Sequence, residues 1–321
     1  MRNCTKIWLV IAAILILTGS AVFAIKMNEL KWDFKKLSTT EYETSTYPIS
    51  QNLKSISIAT DTADIVFVPS ENGSSSVTCY EQAQVKHTVS VKDGTLVIQV
   101  VDTRKWYEHI GIHWGTPKIT VYLPQGTYGA LSIASDTGNV EIADGFQFAS
   151  MEITESTGNV TSFASVSDSV KIRTSTGNIR LENISAGAMA LTVSTGSVTV
   201  SGATCRGDLS VGVSTGKTVL TDIRCGNLVS TGSTGKISLE KVTATEKLSI
   251  QRSTGDVRFD RSDAAEVLVE TNTGDVTGSL LTPKVFIVKS NTGRIDIPKT
   301  ASGGICDITT ETGNVTIRIA D

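Results

Sequence analysis

A Thr-Gly pair recurs ten times between residues 136 and 315, its glycines falling at 138, 158, 177, 196, 216, 235, 255, 274, 293 and 313. Successive glycines are always 19 or 20 residues apart. So regular a period means one supersecondary unit stacked on copies of itself, each burying its apolar face on a neighbour. The residues seven and five before each glycine are mostly apolar, as in Leu131 and Ile133, Val170 and Ile172, or Leu248 and Ile250. Apolar residues return two and four after it, as in Ile179 and Leu181, Val198 and Val200, or Val315 and Ile317. Both runs alternate with period two and are rich in β-branched residues, which marks strands. Each coil therefore reads as strand, Thr-Gly turn, strand, corner. Copies at equal offsets stack in parallel at ~4.8 Å. The expected fold is all-β, a parallel β-solenoid (β-helix) of about ten coils of 19–20 residues.

A turn that uses glycine in every copy points to a positive φ that a Cβ would penalise by about 1–2 kcal/mol. The threonines before the glycines form a column that satisfies itself through turn chemistry and contacts between coils. An ice-ordering face is the sharper reading of that column, but its position at a turn beside glycine argues against it.

The remaining chain divides into three parts. Residues 1–25 hold 19 uncharged residues, Ile7 to Ile25, enough to cross a hydrocarbon core as a helix. They read as an uncleaved membrane anchor, although Val22 and Ala24 would also permit a signal peptide cut after Ala24. Residues 26–50 are polar and aperiodic, a stalk. Residues 51–130 are strand-like with a broken period and read as the N-terminal β cap; Thr62-Ala63-Asp64 stands where a Thr-Gly turn would be. Residues 131–321 are the solenoid. With coils stacked in chain order, the last one, carrying Ile317 and Ile319, would form an open edge, so it is expected to be covered either by a partner or by a second copy packing end to end.

Net charge is −3, and no basic stripe argues for nucleic acid. The three histidines, His87, His109 and His113, all precede the solenoid, which denies the repeats an imidazole base or ligand. No metal and no cofactor is expected; the five cysteines lack metal-type spacing, and Cys205 and Cys225 are expected to stack as free thiols. The residues after the glycines include Lys217, Lys236, Asp256, Asp275 and Arg294, predicted to pair as Lys236 with Asp256 and Asp275 with Arg294. A calcium or uronate site around the two aspartates is the competing reading. The one aperiodic segment rich in chemistry holds Trp106, Tyr107, Glu108, His109, His113 and Trp114. Such a cluster can stack on a sugar ring, or simply plug the end of the core.

The N-terminal apolar segment, the strand from Lys118 to Pro124 and the run of Ser/Thr-Gly-Asn/Asp-Val turns resemble the bacterial "putative adhesin" family of β-strand repeats, whose LiaG-like members are membrane-anchored envelope proteins. The resemblance spans residues from about 50 to 321. It implies a surface location and no enzymatic activity, and it brings no functional residues with it. The expected function is a single-pass membrane protein with an extracellular solenoid, a non-catalytic module for binding, adhesion or scaffolding. Its expected partners are cell-wall glycan or another envelope protein. The alternative is an enzyme acting on polysaccharide.

Overall fold

The computed structural model describes residues 2–33, 41–105 and 115–320. Two compact units emerge. One comprises residues 1–43, 82–85 and 102–115, and the other residues 44–81, 86–101 and 116–321. The first contains helix α1 (Arg2–Glu29), 28 residues and so about 42 Å long. From Lys6 onward it is apolar and long enough to span a bilayer, and its large side chains, such as Trp8 and Leu17, are exposed along its length.

The second unit holds the solenoid, whose coil strands pair in parallel as the period requires. The first strands of the chain are β1 (Tyr42–Ile49), β2 (Ser55–Thr62), β3 (Asp64–Pro69), β4 (Ser75–Gln82), β5 (Val85–Lys92), β6 (Thr95–Asp102), β7 (Lys118–Leu123), β8 (Gly126–Thr137) and β9 (Val140–Ile142). Strand β8 stacks on the strand Phe146–Thr157 with Ile133 beside Ile153 and Thr137 beside Thr157. That register continues coil by coil, so Ile58, Ile133, Ile153, Ile172, Leu191 and Val211 form one inward column with every member essentially buried. Burying each such side chain contributes about 1.5–3 kcal/mol.

The turns show why glycine is required. A Cβ on Gly158 would lie 1.6 Å from the carbonyl oxygen of Gly138, and one on Gly216 would lie 1.5 Å from that of Gly196. Gly216 has the expected positive φ, 142°, but Gly158 is not among the left-handed residues. Close approach of stacked backbones is therefore the common cause, and the positive φ is secondary. The residue after the glycine adds an amide ladder. The backbone N–H and Nδ2 of Asn159 both donate to Asn139 Oδ1, at 3.1 and 2.9 Å, and Asn178 donates in the same way to Asn159 at 3.0 and 2.8 Å. Asp64 Oδ1 starts the ladder by accepting from Asn139.

The stacking order departs from chain order at both ends. Strands β2 and β3 form a true coil, as the degenerate Thr62-Ala63-Asp64 turn suggested, with Thr62 in register with Thr137. Beyond it lies a further coil made from β6 and β7, which come later in sequence but pair in parallel with the other edges of β2 and β3. Strand β4 runs antiparallel along the free edge of β7 and closes that side. At the C-terminal end the strands Gly304–Thr312 and Val315–Ile319 insert between those of the two preceding coils. The expectation that Ile317 marks the open edge is thus corrected. Ile317 is fully buried, and the terminal coil is Lys284–Thr292 with Ile295–Asp296, whose Phe286 and Val288 are only half-buried and whose Ile295 is exposed. Two glycines permit the insertion. A Cβ on Gly303 or Gly304 would sit 1.9 Å from the carbonyl oxygens of Pro283 and Ala265 respectively.

The steric origin of the turn can be separated from its φ. Gly158→Ala should cost about 3 kcal/mol by forcing stacked coils apart, whereas Gly212→Ala, where the nearest atom to the new Cβ is 3.7 Å away, should change stability by less than about 1 kcal/mol. Urea denaturation of the two variants measures the difference, and equal stabilities would refute close approach as the cause.

Candidate functional site

Three residues before each turn glycine lies an inward position. Three hydroxyl side chains there donate to turn-glycine carbonyls: Thr174 Oγ1 to Gly158 at 3.2 Å, Ser290 Oγ to Gly313 at 2.9 Å and Thr310 Oγ1 to Gly274 at 3.2 Å. Val193 and Val213 occupy the same position in the next two coils and are buried. Three residues break the pattern: Glu155, Gly232 and Arg252.

Arg252 is 96% buried, at 4% exposure. Its Nη2 donates to Ser230 Oγ at 2.8 Å and Thr218 Oγ1 at 3.1 Å, both on inward positions that hold aliphatic residues in other coils. Gly232 makes room for it, since a Cβ there would lie 1.8 Å from Arg252 Nη1. Nε has no hydrogen-bond partner among the described residues. Above this guanidinium runs an open groove of about 540 Å³ that Arg252 itself lines, together with Gly212, Ser214, Thr231, Gly232, Ser233 and Ser253. Glu270 also lines it, and its carboxylate accepts from Gln251 Nε2 at 3.3 Å.

The other buried charges are resolved differently. Lys284 Nζ pairs with Asp263 at 2.6 Å and donates to the Ala264 carbonyl at 2.6 Å. His87 Nδ1 lies 2.8 Å from Glu81 Oε2. Glu155 has no counter-ion among the described residues, and its burial pushes the carboxyl up to about 7; the Ser135 hydroxyl offsets part of that, and the carboxylates of Asp136 and Asp64 add to it. It can become neutral by taking a proton. Arginine cannot lose one at neutral pH, although burial lowers the affinity of Arg252 for its proton. Arg252 is therefore the one buried cation among the described residues with no carboxylate in ion-pair reach. Leaving it uncompensated costs several kcal/mol, which an anion held at the groove floor would offset.

The candidates read from sequence fare unevenly. Trp106, Tyr107, Glu108, His109, His113 and Trp114 lie outside the described residues, on the stretch of chain between β6 and β7. Lys236 and Asp256 pair as expected, at 2.8 Å, which holds the Asp256 carboxyl below its usual range. The predicted Asp275–Arg294 pair is corrected. The inserted final coil places Asn314 between them, its N–H donating to Asp275 Oδ1 at 2.7 Å while its own Oδ1 accepts from the Arg294 N–H at 2.9 Å. Asp256 and Asp275 thus serve the turn ladder, Asp275 N–H donating to Asp256 Oδ1 at 3.2 Å. Cys205 and Cys225 are buried free thiols on adjacent coils. Glu155 and Arg252 were not singled out from sequence; their signal is a charged residue at an offset that holds threonine, serine or valine in other coils.

The profile of the Toastrack DUF4097 family matches residues 53–212 and 203–321. No curated protein matches the chain. Among solved structures, a putative adhesin of Parabacteroides distasonis is similar at 13% identity with a TM-score of 0.53, covering 74% of this chain and 98% of its own. A putative adhesin of Parabacteroides merdae is similar at 11% identity with a TM-score of 0.51, covering 76% and 98%. A putative adhesin of Bacteroides fragilis covers 87% and 97% at 16% identity, with a TM-score of 0.42. The two Parabacteroides likenesses concern the fold.

Glu155 gives the solenoid a pH dependence of definite sign. Its folded value of about 7 exceeds the ordinary 4.5, so the folded state binds more protons between the two and stability falls as pH rises through that window. Between pH 4.5 and 7 the loss should be about 3 kcal/mol, level above pH 7, and Glu155→Gln should abolish it. Denaturant titrations at a series of pH values test this; a wild-type profile that the variant merely reproduces would overturn it.

Proposed function

This chain belongs to the Toastrack DUF4097 family, and we propose that it acts as a non-catalytic surface module, anchored in the membrane by α1 and holding the solenoid outside the cell to bind an anionic envelope polymer. One observation carries the reading: a buried, permanently charged guanidinium with no carboxylate partner among the described residues adjoins a groove lined by glycines and small hydroxyl side chains together with Gln251, Glu270 and Asn272. A glycan or polyol chain fits such walls through hydroxyl hydrogen bonds, and its carboxylate or phosphate groups supply the missing charge. The aromatic segment from Trp106 to Trp114 offers a second contact of different chemistry, ring stacking on sugars.

The test compares the full-length protein in detergent with two variants. Arg252→Gln removes the charge, and Gly212→Glu places a carboxylate in the groove at a position with room for a side chain. Titrated with an oligouronate and with a polyol-phosphate polymer, both variants should bind at least ten-fold more weakly, since a charge-assisted hydrogen bond contributes about 1.5–3 kcal/mol. A neutral glucan should not distinguish the three proteins. Undiminished binding of both anionic polymers to both variants would exclude the groove.

A second reading, end-to-end self-association, is favoured by the open terminal coil with its exposed Ile287 and Ile295. A second copy pairing with that edge would satisfy its backbone and cover Phe286 and Val288. The particle mass should then rise with concentration and fall back to that of one chain in Ile295→Asp. A wild-type chain monomeric at every concentration would show that Lys289 and Arg294 blunt the edge unaided.

A further inference from the structure

Cys79 and Glu81 are two apart on β4, so both point into the core with Val77, and the chain reverses after Gln82 to bring His87 of β5 against them. All three are buried, at 0%, 1% and 3% exposure. One donor atom from each lies within 4.8 Å of the other two. The imidazole is fixed on both sides: Nδ1 faces Glu81 Oε2 at 2.8 Å, and Nε2 lies 2.8 Å from Thr60 Oγ1 on β2. Glu81 Oε2 also accepts the backbone N–H of His87 at 2.7 Å, whereas Glu81 Oε1, equally buried, has no hydrogen-bond partner among the described residues. A carboxylate oxygen left bare in the core is costly, and its placement beside a thiol and an imidazole gives it a specific use.

We infer that Cys79, Glu81 and His87 bind one Zn²⁺ ion that staples the N-terminal strands onto the first coils of the solenoid. Sulfur, nitrogen and oxygen donors in one cluster suit Zn²⁺ over the hard cations Ca²⁺ and Mg²⁺. Around a tetrahedral Zn²⁺, neighbouring ligand atoms lie about 3.3–3.8 Å apart, a small adjustment from the observed cluster. Three protein donors leave one position for a further ligand. Thr60 completes the arrangement, because a zinc-bound imidazole normally donates its other N–H to a fixed acceptor, here the hydroxyl on β2. On binding, the thiol proton and the proton between Nδ1 and Glu81 leave to solvent, and no electrons are transferred. Since the donors come from β4 and β5 and their outer partner from β2, the ion would tie the antiparallel cap to the parallel stack. Their burial means that the metal enters while the cap folds.

The experiment produces the full-length protein in medium supplemented with Zn²⁺ or Co²⁺, purifies it in detergent with a chelator throughout, and measures metal by mass spectrometry. About one Zn²⁺ per chain should survive, and the Co²⁺ protein should show thiolate-to-cobalt charge-transfer absorption. Cys79→Ser and His87→Gln should each lower the retained metal at least ten-fold. Circular dichroism checks that the variants keep their β content, and Glu81→Gln gives an independent arm if either does not. Protein from metal-depleted medium should melt at a lower temperature than the Zn²⁺ form. Less than a tenth of an equivalent in wild type with no cobalt–thiolate band, or full retention in Cys79→Ser, would overturn the site and leave a hydrogen-bonded Glu81–His87–Thr60 chain.

Discussion

The contact on which the solenoid depends is the approach of each turn glycine to the carbonyl of the stacked turn residue in the adjacent coil, glycine in every case but Ala63 beneath Gly138, closer than any side chain would allow. It fixes the turns in a single line, and the line fixes everything else. Threonines stack beside threonines, asparagine amides chain from coil to coil, and the inward positions of ten coils become continuous columns. The environment of any residue is therefore set by those 19 or 20 positions away, and chain neighbours matter less.

The consequence is sharpest where a column carries charge. An apolar column tolerates one aliphatic residue for another, but a charge meets the same two neighbours above and below and must be settled there. Three solutions coexist here. Lys284 reaches Asp263, Glu155 is pushed by burial toward its protonated form, and Arg252 displaces aliphatic residues in favour of Thr218, Ser230 and Gly232 without gaining a counter-charge. The third solution asks for something from outside the chain, and it occurs where glycine has thinned the wall between guanidinium and groove.

The architecture was legible because its cause is periodic. Strand faces, turns and the degenerate coil at Thr62 all follow from alternation and a fixed step. Coil order at the ends was not legible. The intervals from Gly274 to Gly293 and from there to Gly313 are 19 and 20, the same as elsewhere, so spacing carries no trace of the insertion. Only Gly303-Gly304, threading between Pro283 and Ala265, marks it, and glycine pairs have many uses. From that one unread exchange followed the misplacement of the open edge and the failed pairing of Asp275 with Arg294. Arg252 escaped notice for a related reason, because an arginine in a polar stretch is ordinary until its offset from the glycine is aligned with the other coils. In the cap, period two predicts that Cys79 and Glu81 share a face, but bringing His87 against them depends on a reversal that has no periodic signature.

Position along the stack also decides what a residue can do. A side chain in a middle coil is held by two in-register neighbours, and Val211 or Leu239 is completely buried as a result. The same inward offsets in the terminal coil leave Phe286 and Val288 half-buried, because one neighbour is missing. A binding geometry that must be kept to within a fraction of an ångström therefore belongs in the interior of the stack, where both flanking coils hold it rigid. Arg252 and its groove lie there, with two coils between their own and the terminal one. The end of the stack is suited to a different kind of contact. There the free groups are backbone N–H and C=O, whose spacing is common to all strands, so recognition at the end rests on main-chain pairing and recognition at the middle on particular side chains.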